Sequence, residues 1–368
     1  MPKCQAGNPQ PTTPWDRGAT LVIALLLLLA CLALPRDIWP PDEPRYIQVA
    51  REMVESGSWL VPHLNGQVYA EKPPLFFWIL ALCSMVFGSW HRLVMSLPSV
   101  GAAIGCLWAT RWFGTLSGRP RSGVLASWIL AGSLPFLFIA QLVRMDMLLV
   151  LCVTLALAGI FRLVAVDAPP SRVVAAVVYV SLAAGTLTKG PVAVALPALA
   201  TVVWIAHARN WPALRRLHLT WGVPLYLVLV LAWAAPAAAE AGPAYVWHVL
   251  AEQSVGRVSG SLRGSHPKAW FFYLTAFPWM ALPWLPFFLA SAVPRWRAGD
   301  TPLERRAVRL WWAWWMTTFV FFSSASGKLE IYLLPLFPAM ALLTAGFWAR
   351  VLLSREKRRG PVPESPSC

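Results

Sequence analysis

Apolar residues run through this sequence in long blocks, separated by short polar stretches rich in Pro, Gly and Arg. A helix rises about 1.5 Å per residue, so about 20 apolar residues cross the hydrocarbon of a bilayer. The blocks predict membrane-spanning helices near residues 19–34, 93–114, 123–141, 146–166, 173–188, 191–206, 219–239, 270–293, 310–325 and 331–349. Two of these are short for a span, and Pro and Gly inside them imply kinks buried against neighbours. The predicted fold class is an all-α polytopic membrane protein, a bundle of about ten transmembrane helices. It occupies residues 1–350, with a basic cytoplasmic tail at 351–368.

Residues 74–88 are apolar but too few to span, and suit an interfacial or re-entrant segment. Charge decides between the readings. If this stretch lies in the interface, all the strong basic clusters fall on one side: Arg119/Arg121, Arg209/Arg215/Arg216, Arg295/Arg297/Arg305/Arg306/Arg309 and Arg355/Lys357/Arg358/Arg359. Positive charge favours the cytoplasm. The N-terminus is therefore expected inside, with residues 35–90 forming an outer loop that carries interfacial amphipathic helices.

Composition agrees. Charged residues make up 13% of the chain and apolar ones 58%, too little charge to cover a soluble domain of this size. The 22 Trp suit the membrane–water interface. A net charge of +15 would suggest nucleic acid in a soluble protein, but here the basic residues sit between apolar blocks, so no nucleic-acid partner is expected. The six Cys show no metal-type spacing. The first apolar run lacks a small-residue cleavage site and reads as a retained helix.

This topology gathers the unusual charges on the outer side. Trp39-Pro-Pro-Asp-Glu-Pro-Arg-Tyr46 opens a short amphipathic helix, with Tyr46, Val49, Ala50 and Met53 at helical spacing. Asp42 is either its N-cap or, with Glu43, a candidate general base beside Arg45. In Tyr69-Ala-Glu71-Lys72-Pro-Pro74, Lys72 sits on a stiff extended segment. It either meets a phosphate or snorkels to the surface. Arg144-Met-Asp146 joins two spans, as a local ion pair or as site residues. Lys189 is presented by a tight turn, His266 precedes a span, and Lys328, Glu330 and Tyr332 close the last outer loop. Charges hard against apolar helix ends are costly and usually functional. One acid among several cations on a shared face suits an anionic, lipid-linked substrate.

In their order these stretches resemble the bacterial lipid A aminoarabinose transferases and the wider family of polyprenyl-phosphate-sugar-dependent transferases, which are GT-C glycosyltransferases related to protein O-mannosyltransferases. Besides Trp39–Tyr46 and Tyr69–Pro73, the matching segments are Arg51-Glu-Met53, Gly57-Ser-Trp-Leu-Val-Pro-His63, Thr188-Lys-Gly190, residues 266–273, and Gly327-Lys328 with Tyr332.

The resemblance implies a GT-C type bundle and sugar transfer from undecaprenyl phosphate, with 4-amino-4-deoxy-L-arabinose one candidate sugar. It implies an inner-membrane protein whose site faces the periplasm. The acceptor would be lipid A, another glycan or a protein. Asp42 would be the base or acceptor-positioning carboxylate. Arg45, Lys72, Arg144, Asp146, Lys189, Arg257 and Lys328, with Tyr69 and Tyr332, would surround the phosphate. No cofactor is required, although family members can carry a divalent ion such as zinc, and Glu71 and His266 fall at matching positions. There are departures: Pro44 replaces the Thr frequent in aminoarabinose enzymes, and Ser96 falls where the family has Arg. Family enzymes commonly continue with further spans and an outer-face domain, so the acceptor stays open. A lipid-linked-sugar carrier, or an inactive paralogue, is the alternative reading.

Overall fold

The computed structural model describes residues 18, 36–118, 120–252, 267–293 and 300–359. From residue 36 onward the first helix is α1, Asp42–Ser56, and a hairpin of β1 (His63–Leu64) and β2 (Gln67–Val68) follows it. Next come α2 (Leu75–Phe87), α3 (Arg92–Leu116), α4 (Pro120–Ala131), α5 (Leu134–Ala140), α6 (Asp146–Val164), α7 (Arg172–Lys189), α8 (Val192–Ala208) and α9 (Leu219–Ala241). The chain continues through α10 (Pro243–Trp247), α11 (Phe272–Met280), α12 (Leu285–Ser291), α13 (Pro302–Ser324) and α14 (Phe337–Arg359).

Among the described residues five helices are long and apolar enough to cross a membrane, and up to seven if each of two bent pairs counts as one span. This makes the chain a multi-pass membrane protein. The predicted span at 19–34 lies outside the described residues. The block at 123–141 is not one straight helix: α4 and α5 meet at 69°. Likewise 270–293 breaks into α11 and α12 at 109°. Apolar composition alone cannot show such breaks, because both halves read as apolar. The 13 residues of α2 rise about 20 Å, short of the roughly 30 Å hydrocarbon core.

Helix α6 is the axis of the bundle. It is apolar on all sides, and such a helix must be buried; 15 of its 19 residues are buried. It packs against α3, α7 and α8. Arg216 and Arg306 donate to the carbonyls of Ala168 (2.6 Å) and Ala165 (3.0 Å) just beyond its end. That places positive charge at the negative end of the helix dipole. The opposite end begins at Asp146, and the candidate site forms there.

Helices α3 and α4 approach closely because glycine faces glycine. A Cβ on Gly123 would lie 2.3 Å from the Arg111 carbonyl, and one on Gly114 would lie 2.4 Å from the Gly123 Cα. Small residues at such crossings let backbones touch, the usual source of packing energy inside a membrane. Gly123→Ala is expected to cost about 1–3 kcal/mol, since backbone cannot move aside as a side chain can. A thermal unfolding scan in detergent checks this, and an unchanged midpoint would refute the close approach.

The β1–β2 turn has positive φ at Asn65 (53°) and Gly66 (75°). The Glu52 carboxylate accepts the N–H of both, at 2.7 and 3.0 Å. The hairpin is thereby tied to α1, and the chain returns to bring Tyr69, Glu71 and Lys72 beside the start of that helix.

Candidate active site: an alternating ion chain between two cavities

Pro41, not Asp42, caps α1, and no side chain closes its first turn. Asp42 is thus the first helical residue, and its carboxylate is left to meet side chains from elsewhere. One oxygen pairs with Arg45 at 2.5 Å, one turn along the same helix. The other pairs with Arg144 at 2.7 Å. Arg45 also reaches Glu71 at 3.2 Å. Arg144 reaches Asp146 at 3.1 Å through Nε, and Asp146 pairs in turn with Lys189. The result is one chain of alternating sign, Glu71–Arg45–Asp42–Arg144–Asp146–Lys189. It links the segment from Asp42 to Glu71, the α5–α6 junction and the end of α7.

Burial differs along the chain. Asp146 is 3% exposed, so its charge depends on its two cations. The Asp42 side chain is 19% exposed. A carboxylate offers about four lone-pair positions. The two arginines take two from Asp42, which itself lines a cavity of about 1070 Å³. This cavity is lined by four acids (Asp42, Glu71, Asp146 and Glu330) and four bases (Arg45, Lys72, Arg144 and Lys189). Trp39, Phe138, Leu142 and Met280 supply apolar wall. A second cavity of about 320 Å³ adjoins it and is mainly apolar, with Val192, Ala195, Val249, Phe321, Phe322 and Pro335 around it. Glu71, Lys72, Asp146, Lys189, Ile331 and Tyr332 line both cavities. Lys189 lies over the Tyr332 ring, 5.1 Å from its centroid, a cation–π contact that holds the ammonium at the junction. Lys72 is 8% exposed and donates to the Glu71 carbonyl at 3.0 Å.

The fold does not bring every residue named above to the cavities. Glu43 is 1% exposed and turned inward. It accepts two hydrogen bonds from Arg36 (2.6 and 2.8 Å) and the N–H groups of Trp39 and Val143 (2.5 Å each). Burial pushes the Glu43 carboxyl up, but these hydrogen bonds outweigh it and hold its pKa below the ordinary value. Lys328 is 3% exposed, and its ammonium bonds the carbonyls of Lys268 (3.2 Å) and Ala325. With the Pro267–Gly327 bridge it staples two loops together. The Tyr69 hydroxyl stands 3.4 Å from Glu71, behind the wall, and burial raises its pKa. Arg257 and His266 lie outside the described residues.

Arg36 escapes a sequence reading altogether. It binds the Gln141 carbonyl at 2.6 Å across 105 residues, a contact no local pattern announces. Its only signal is a position just ahead of the Asp42-Glu43 pair.

The described residues fit a metal poorly. Among the described residues no group of three His, Cys, Asp or Glu could hold one. Glu71 already faces the Arg45 guanidinium, and further cations stand around it. A divalent ion would need more donors than the described residues offer, and His266 lies outside them.

A polytopic helical bundle with charged loop residues converging over the start of one buried helix has the architecture of the GT-C membrane glycosyltransferases. The chain superimposes with a TM-score of 0.81 on the crystal structure of ArnT from Cupriavidus metallidurans bound to undecaprenyl phosphate, at 24% identity, covering 94% of this chain and 64% of that one. It also matches the oligosaccharyltransferase AglB from Archaeoglobus fulgidus, with a TM-score of 0.62 at 13% identity, covering 96% of this chain and 53% of that one. In sequence, residues 71–234 match the family described as dolichyl-phosphate-mannose-protein mannosyltransferase. The undecaprenyl phosphate-alpha-4-amino-4-deoxy-L-arabinose arabinosyl transferase 1 of Sodalis glossinidius is 30% identical over 343 residues, 90% of this chain and 60% of that protein. The corresponding transferase of Edwardsiella ictaluri is 31% identical over 341 residues, 91% of this chain and 60% of its own. In sequence and in fold the chain therefore resembles these aminoarabinose transferases, as its motifs imply. It spans about three-fifths of the length of these relatives.

Proposed function

We propose that the protein is a glycosyltransferase that moves a sugar from a polyprenyl phosphate to an acceptor at the outer face of a bacterial inner membrane. The carrying observation is the junction of the two cavities. A lipid-linked sugar phosphate has an apolar tail, an anionic centre and a polar sugar. The smaller cavity suits the first prenyl units, Lys72 and Lys189 suit the phosphate, and the larger cavity suits the sugar with its acceptor.

The chemistry follows from that placement. The acceptor hydroxyl attacks the anomeric carbon and its proton passes to Asp42. As the new C–O bond forms, the bond from the anomeric carbon to the phosphate oxygen breaks, and its electron pair leaves with the lipid phosphate. Asp42 lines the cavity and keeps lone pairs beyond the two that the arginines take, as a general base requires. Lys72, Lys189 and Arg144 stand where charge grows on the leaving phosphate, and fixed cations in a water-poor site stabilise it strongly. Arg45 and Glu71 hold the other side of Asp42. The four acids and four bases of the large cavity balance. A donor whose amino group offsets its phosphate adds no net charge there, which suits the aminoarabinose named for the relatives. Lipid A, another glycan or a protein is the acceptor class, and no step is routed through a metal.

The test is reconstitution with labelled undecaprenyl-phosphate sugar. Acceptor-dependent release of free lipid phosphate is expected. Movement of intact donor between leaflets without release would make the protein a carrier. Lys72→Ala is expected to weaken undecaprenyl phosphate binding about tenfold to a hundredfold, the worth of one charge-assisted hydrogen bond. Unchanged affinity in a lipid-binding titration would remove Lys72 from the donor site.

A further inference from the structure

Asp42 and Glu43 are neighbours, yet they do opposite things with the same partner segment. Asp42 faces the cavity and binds the Arg144 side chain. Glu43 faces the interior and binds the backbone one residue earlier, at Val143. All four lone-pair positions of Glu43 are taken, two by Arg36 and two by backbone N–H groups. Nothing is left on it to accept a substrate proton. Arg36 adds the Gln141 carbonyl, so Glu43 and Arg36 together grip the 141–143 backbone. Arg144 itself is held by Ser99, which donates to its carbonyl at 3.0 Å and accepts its N–H at 3.3 Å.

We infer that Glu43 is a positioning residue: with Arg36 it clamps the α5–α6 junction, so that Arg144 is presented to Asp42 at the reacting end of the cavity. Glu43 therefore acts through Val143 and Arg144 and does not touch substrate. The clamp joins the two loops that carry the halves of the Asp42–Arg144 pair. The contact spans 100 residues of chain, and it adds a backbone grip to the Asp42–Arg144 ion pair and the apolar packing of Tyr46 and Ile47 with Val143 and Met145. This inference rests on the reading of Asp42 as the base for its kinetic consequence, but the clamp itself is a structural claim.

The test uses the full-length chain in detergent or nanodiscs, with two readouts. Hydrogen exchange of the peptide covering residues 141–146 reports the clamp, since amides freed from a buried acceptor exchange faster. Transfer kinetics report its effect on chemistry. Glu43→Gln offers two further donors to a site full of donors, and is expected to raise exchange in that peptide about tenfold. It should lower kcat about tenfold to a hundredfold, the cost of a small misplacement, while the donor KM changes less than about threefold. Arg36→Ala should do the same, and the double variant should be no worse than either single one. Glu55→Gln, which breaks only the exposed Arg51–Glu55 pair, should change neither readout. Unchanged exchange in Glu43→Gln would overturn the clamp. Raised exchange with normal kcat, or additive losses in the double variant, would overturn its positioning role. If the wild type transfers no sugar, the proposed function falls, and the exchange data still decide the clamp.

Discussion

Asp42→Asn is expected to lower sugar transfer by about 10² to 10⁴-fold, the range a general base contributes. Donor affinity and thermal midpoint should change little. Asn keeps the shape of the side chain and a carbonyl oxygen, so one of its two arginines retains an acceptor. What is lost is the charge and the ability to take a proton. The comparison must therefore be made at saturating donor, with undecaprenyl phosphate binding measured in parallel. An Asn variant that turns over normally would show that Asp42 only orders Arg45 and Arg144. A variant that loses donor binding along with turnover would move Asp42 into the phosphate site.

The second large effect is structural. Asp146→Asn removes the buried anion that Arg144 and Lys189 share. Breaking one partner out of a buried ion pair costs about 3–5 kcal/mol, because the remaining charge has left water without compensation. The lower figure fits better here, since Arg144 and Lys189 are 20% and 17% exposed and keep some solvent. The thermal midpoint should fall clearly in a detergent scan. A lipid phosphate would replace the missing negative charge, so undecaprenyl phosphate should raise the midpoint of Asp146→Asn more than that of the wild type. Equal stabilisation of both proteins would mean that the lipid phosphate does not sit beside Lys189 and Arg144. Greater stabilisation of the variant would make Asp146 the resting counter-ion of Arg144 and Lys189, since an ionised carboxylate repels a phosphate.

Much of the bundle is legible along the chain because a bilayer imposes a simple rule. About 20 apolar residues must satisfy their own backbone, so the helices at 92–116, 146–164, 172–189 and 219–241 follow from composition alone. The breaks at α4–α5 and α11–α12 do not follow, because a Pro near a helix start and a Pro inside a straight span look alike in sequence. The convergence of the loop charges was also legible. A charge beside an apolar helix end has few tolerable places, and one shared aqueous cavity is the cheapest.

The roles within that cluster were not legible. Asp42 and Glu43 are adjacent acids of similar chemistry, and both read as candidate bases. The turn of α1 decides between them: one faces the cavity and the other the interior. Lys189 and Lys328 likewise both read as outward cations beside Gly. The fold puts Lys189 at the cavity junction over Tyr332 and spends Lys328 on backbone carbonyls.

By itself, the sequence determined that this chain lives in a membrane, roughly where its helices lie and which residues are unusual enough to matter. Those properties depend on local composition measured against a solvent of known thickness. Only the tertiary structure decided which carboxylate meets which cation, that Asp146 serves two of them, and that Arg36 exists as a partner at all. The deciding contacts join residues far apart in the chain, as with Lys189 to Asp146 over 43, Glu43 to Val143 over 100 and Arg36 to Gln141 over 105. Their strength depends on burial that forms only when the helices close around α6.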